Sequence, residues 1–166
     1  MARTVGDPAV EAYCELAIGR CQEALGDLDA ARAAFDAHDA WANRQRDNDP
    51  AGLATMPPRV HLALAQDRID EASAVAAGMV AWLDAKPGGP GAADIARCYA
   101  CHSALAAAGA PRADEFIGHA WRLMSQQADR FDDAAQRKAF LDNVPGHREV
   151  RAAWEARNAP VIPRAG

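Results

Sequence analysis

The chain has 166 residues and a formal net charge of −5, and half of its residues are hydrophobic, a share supplied mainly by alanine rather than by aromatic side chains. That length suits about one domain with a real core, while carboxylates interrupt every basic group, which speaks against a phosphate-binding nucleic-acid surface. β-Branched and aromatic residues never gather into alternating runs, so the pattern predicts an all-α fold.

In chain order, MARTVGDPAV has no apolar centre of the kind a secretory leader needs. Asp7-Pro8 then reads as a helix start, with a carboxylate at the cap and proline in the first turn. The helix runs to about Leu25, and Val10, Cys14, Ala17, Ile18 and Cys21 at three- and four-residue spacing form its expected buried stripe. Gly26 turns the chain, Asp27 or Asp29 caps a second helix, and Leu28, Ala31, Ala34, Phe35 and Trp41, or their near neighbours, are expected to face inward. A polar break follows at 44–50, where Asp49-Pro50 repeats the start signal. Pro57-Pro58 predicts a third helix that is broken or late, firm only from about Arg59 to Gln66. The fourth, Ile69 to Asp84, carries Ile69, Ala72, Val75, Ala76, Met79, Val80 and Leu83. Its apolar run ASAVAAGMVAWL is too short to cross a bilayer.

Lys86 to Gly91 is a proline- and glycine-rich loop. A fifth helix is expected from Ala92 to Ala108 and a sixth from Arg112 to about Phe131, bearing Phe116, Ile117, Ala120, Trp121 and Met124. A seventh, Asp133 to Asp142, turns Ala135, Ala139, Phe140 and Leu141 inward, and Val144-Pro145-Gly146 stops it. An eighth, His147 to Asn158, buries Val150 and Trp154. The expected organisation is one domain over 1–158 with a disordered tail at 159–166, in a soluble, cytoplasmic protein whose cysteines are reduced.

One half-motif recurs. ALGDLDAARAAF, ALAQDRIDEASAVA and LAAAGAPRADEFIGHA each end one Ala-rich helix, turn and begin another, and their turn residues Gly26, Asp67 and Gly109 stand 41 and 42 residues apart. Such a period signals stacked helical hairpins, since one hairpin cannot bury its apolar face alone.

The first hairpin resembles a tetratricopeptide repeat. Ile18-Gly19 matches the Leu-Gly pair of the first repeat helix, and Gly26, Ala31 and Phe35 match the turn glycine, small contact residue and aromatic of the second. Glu15, Gln22 and His38 depart from that pattern; the second hairpin keeps Ala72, and the third is shifted after Pro111. Residues 97–154, through the segment Phe140-Leu141-Asp142-Asn143-Val144-Pro145-Gly146-His147-Arg148, are similar to the ending of helical-repeat regions in large bacterial signal-responsive transcriptional regulators and cyclase-linked ATPases. The resemblance implies antiparallel hairpins in a right-handed superhelix of about eight helices, binding a peptide or protein in a concave groove. Within these 166 residues nothing resembles the ATPase or DNA-binding parts of those regulators.

Matching positions to that geometry assigns Tyr13, Arg20, Glu23, His61, Tyr99 and Ser103 to the groove. Cys98-Tyr99-Ala100-Cys101-His102 fits the Cys-x-x-Cys-His pattern of c-type haem attachment. The residues fall mid-helix at packing positions, however, and two buried small thiols are the simpler reading. A structural zinc needs four ligands, and Cys14 and Cys21 lie two hairpins away. No phosphate loop, nucleophile elbow or carboxylate pair is present. The expectation is a non-catalytic, cofactor-free interaction module, with no nucleic acid or membrane partner. An uncapped N-terminal hairpin leaves homodimerisation as one alternative, and a c-type haem or metal protein through Cys98, Cys101 and His102 is the other.

Overall fold

The computed structural model describes residues 7–44 and 52–159. These form α1 (Pro8–Leu25), α2 (Leu28–Arg44), α3 (Gly52–Ala65), α4 (Ile69–Ala85), a 3-10 turn (Ala92–Asp94), α5 (Ile95–Ala107), α6 (Ala113–Ala128), α7 (Ala134–Asn143) and α8 (His147–Asn158). The chain is all-α, with no strand among the described residues, and no described helix is long and apolar enough to cross a membrane. The Asp49-Pro50 signal and residues 160–166 of the expected tail lie outside the described residues.

The three recurring turns share one geometry. Gly26, Asp67 and Gly109 all have positive φ, at 81, 57 and 66°. At each, the turn residue's N–H bonds the carbonyl three residues back and the next N–H reaches five residues back: Asp27 to Gln22, Arg68 to Ala63 and Ala110 to Leu105. This pair of bonds satisfies carbonyls that a helix end would otherwise orphan. Caps are equally local. Asp7 accepts from the Ala9 N–H, Asp27 from Ala30 and Asp133 from Gln136.

Consecutive helices pack as the pairs α1–α2, α3–α4 and α5–α6, while α3 also packs on α2 and α5, and α4 on α5. Two apolar clusters result. The larger joins α3 to α6 and takes Val150 from α8; the smaller consists of Leu16, Ala31, Phe35 and Leu62. α3 serves both, through Leu62 on one side and Val60 and Ala63 on the other. Around this seam Arg59 bonds Asp36 and Asp39, and Arg32 bonds Glu71 and Gln66. The last pair is arranged differently: α7 packs on α8, and α8 on α6, with Trp154 stacked on Trp121 at 5.9 Å between ring centres.

Three expectations are corrected. The buried side of α1 is Ala12, Leu16 and Gly19, whereas Val10, Cys14, Ala17, Ile18 and Cys21 are exposed. Gly19 explains this phase: a Cβ there would lie 2.3 Å from Phe35 Cε1, so the glycine is where the two helices touch. α3 begins at Gly52 and runs through Pro57-Pro58 unbroken. Both prolines are buried, and packing on α2, α4 and α5 compensates for two missing backbone donors. Finally, α7 buries no residue: of the four expected inward, Ala135 and Ala139 are exposed and Phe140 and Leu141 are half-buried.

Candidate functional site

A cleft of about 270 Å³ opens where α3, α5 and the start of α8 meet. α3 contributes His61; α5 and the turn before it contribute Ala92, Ala93, Ile95, Ala96 and Tyr99. Gln127 comes from α6, while Pro145, Gly146, His147 and Val150 close the far wall. The helical period explains the near wall, because Ile95 and Tyr99 lie four residues apart on one face of α5. A mainly apolar surface with a few convergent polar groups is the usual make-up of a binding site.

His61 and Tyr99 meet edge to face, with ring centres 5.7 Å apart. His61 Nε2 is buried without a hydrogen-bond partner. Burial pulls the imidazole pKa below its ordinary value, against the opposing charge of Glu149, so the ring is neutral at pH 7 and its Nε2 serves as donor or acceptor by tautomer. Burial likewise pushes the Tyr99 hydroxyl up, keeping it a protonated donor. On the opposite wall Gly146, with φ of 86°, starts α8 without a side-chain cap. His147 Nδ1 lies 2.9 Å from the Phe140 carbonyl oxygen, and Gln127 Nε2 donates to the Ala92 carbonyl. The buried polar atom left without a partner at the cleft is therefore His61 Nε2, since the His147 N–H that opens α8 donates to the Val144 carbonyl.

Of the six groove residues expected from the sequence, the structure brings His61 and Tyr99 together in the cleft. Ser103 lies one turn beyond Tyr99 and donates its hydroxyl to the Tyr99 carbonyl at 3.0 Å. Tyr13, Arg20 and Glu23 all belong to α1 and do not line the cleft. Tyr13 is 65% exposed, and Glu23 is half-buried, its carboxyl pKa raised by burial against the pull of Arg20. The wall built by Gly146, His147 and Val150 escaped sequence reasoning, since nothing in the repeat spacing foretells that α8 folds back to this point.

Cys98 and Cys101 are fully buried in the larger cluster, and burial pushes both thiols up to about 12. His102 Nδ1 lies 3.0 Å from the Ala113 carbonyl oxygen, between α5 and α6. The Cys-x-x-Cys-His run thus has its thiols in the helix packing, and an attached porphyrin would need them at a surface. Cys14 and Cys21 are exposed, contrary to their expected burial. No group of three or more His, Cys, Asp or Glu among the described residues is arranged to hold a metal ion. No protein-family model matches the chain, and no curated protein or solved structure does either.

Proposed function

We propose that this chain is a non-catalytic helical-repeat module that binds a protein or peptide segment in the cleft between α3, α5 and α8. The observation carrying this reading is the unpartnered, buried Nε2 of His61 beside Tyr99 at the wall of that cleft. A buried polar atom left unbonded costs about 1–3 kcal/mol, which a ligand group supplying the missing hydrogen bond would recover. Ile95, Val150 and the surrounding alanines suit an apolar side chain, so the fitting occupant is a segment with an apolar anchor next to a backbone or side-chain hydrogen-bonding group. Three identical turns and the contacts of α3 with α2 and α5 support a continuous right-handed stack of the tetratricopeptide kind.

A displayed library of random peptides, selected against the full chain, tests the proposal. Selected peptides should shift the His61 and Tyr99 ring resonances and lose at least tenfold in affinity against Tyr99→Ala and His61→Leu, with both variants checked for unchanged helicity. A library yielding no binder, or binders indifferent to both substitutions, would overturn it.

A further inference from the structure

The side of α1 turned away from α2 is apolar along the whole helix. Val10, Ile18 and Leu25 are 57, 45 and 79% exposed, and Cys14, Ala17 and Cys21 lie exposed between them. Single apolar residues in solvent are ordinary; a stripe held on one face from Val10 to Leu25 is an interaction surface. We infer that this face pairs with the same face of a second copy of the chain, the two α1 helices running antiparallel about a two-fold axis between Ala17 and Ile18.

The order of residues selects a copy over any other occupant. A two-fold contact requires a self-complementary surface, and this stripe reads alike in both directions. With Ala17 set against the partner's Ile18, Cys14 meets the partner's Cys21 and Val10 meets the partner's Leu25. Ala17 at the axis and Cys14 and Cys21 beside it are small and let the helices approach around the central Ile18, while Val10 and Leu25 close the ends. The flanks agree. At 100° per residue, Tyr13 and Arg20 share one edge of the stripe and Glu11 and Gln22 the other, and an antiparallel two-fold sets like edges together. The Tyr13 ring then reaches the partner's Arg20 guanidinium, Glu11 reaches the partner's Gln22 amide, and the helix dipoles oppose. From the length and girth of such a helix the contact buries about 900 Å² in total, the size of weak, reversible associations. A concentration-dependent dimer follows.

The thiols give a register-specific test on the full chain. Facing Cys14 and Cys21 come within the span of about 4.4–6.8 Å between Cα atoms that a disulfide bridges. Two copies of Cys21 stay about 10 Å apart along the axis, beyond reach. Diamide takes two electrons and two protons from each facing pair, becoming the hydrazine as the sulfur–sulfur bond forms. Wild type should give a covalent dimer, Cys14→Ser alone and Cys21→Ser alone should give none, and an equimolar mixture of the two variants should restore it. Sedimentation of reduced wild type should show a dimer fraction rising with concentration, lost in Ile18→Glu with thermal midpoint unchanged because the side chain is exposed. Cross-linking of either single variant by itself, which a parallel pair would give, overturns the inference. So does a wild-type chain that stays monomeric to millimolar concentration.

Discussion

Replacing Gly19 by alanine tests how the first two helices are held together. Alanine is favoured over glycine in a helix interior by about 1 kcal/mol, so a site without tertiary constraint would be stabilised. Here the added Cβ would stand 2.3, 2.6 and 3.0 Å from Phe35 Cε1, Cδ1 and Cζ, far inside the roughly 3.5–4.0 Å at which carbons attract. The ring cannot swing away into solvent, because Phe35 is fully buried among Leu16, Ala31 and Leu62. The helices must part instead, and overpacking of this kind costs about 1–3 kcal/mol. Set against the propensity gain, the net expectation is destabilisation by up to about 2 kcal/mol, or a fall of up to several degrees in Tm. A double-mutant cycle with Phe35→Leu isolates the contact. Urea titrations followed by circular dichroism should show Gly19→Ala costing up to about 2 kcal/mol in wild type and giving a gain of about 1 kcal/mol once the ring is gone. An equal effect in both backgrounds, or a stabilised single variant, would refute the close approach of α1 and α2.

Asp67→Gly should raise stability by about 1 kcal/mol in the same assay, since Asp67 holds a φ of 57° that glycine adopts without strain; a loss would mean that the aspartate side chain matters more than its backbone. Asp94 is 1% exposed at its side chain and bonds Lys86, Arg97 and the Gly91 N–H. Burial works to raise its pKa, and those partners outweigh burial and hold the carboxyl below its usual value. Its contribution is therefore present above about pH 4 and is lost as pH falls below that; Asp94→Asn should lower stability at neutral pH by about 3 kcal/mol and flatten the acid limb of the stability curve. Against a thiol reagent at pH 8, Cys14 and Cys21 should label at once while Cys98 and Cys101, buried and with pKa values near 12, label only on unfolding. Four fast thiols would contradict the packing of α5.

Helix type and turn position were legible because their signals are local. Gly26, Asp67 and Gly109 announce turns by their recurrence, and the structure places a turn at each, with positive φ. The face of α1 was not legible, because its two sides are both apolar. The larger residues, Val10 and Ile18, point to solvent, while Ala12, Leu16 and Gly19 make the contact. Periodicity finds a stripe without saying which stripe is covered, and only the close approach of Phe35 decides it. Pro57-Pro58 misled for a related reason: local propensity predicts a break, and tertiary contacts of α3 override it. Of the cleft, His61 and Tyr99 were found through the repeat positions, and the α8 wall was not, since folding back depends on long-range partners such as Trp121 beneath Trp154.

The sharing of α3 between two apolar clusters has a kinetic consequence. A small set of contacts on α3 and the start of α4, chiefly Leu62 and Ala54, the Thr55–Asp39 hydrogen bond and two groups of ion pairs, joins the N-terminal pair of helices to the remainder, so this end can peel open while the other stays shut. Amide protons of α1 and α2 should then exchange with solvent ahead of those in α4, α5 and α6. The chain would come apart like a zip with one weak tooth, beginning at its first two helices.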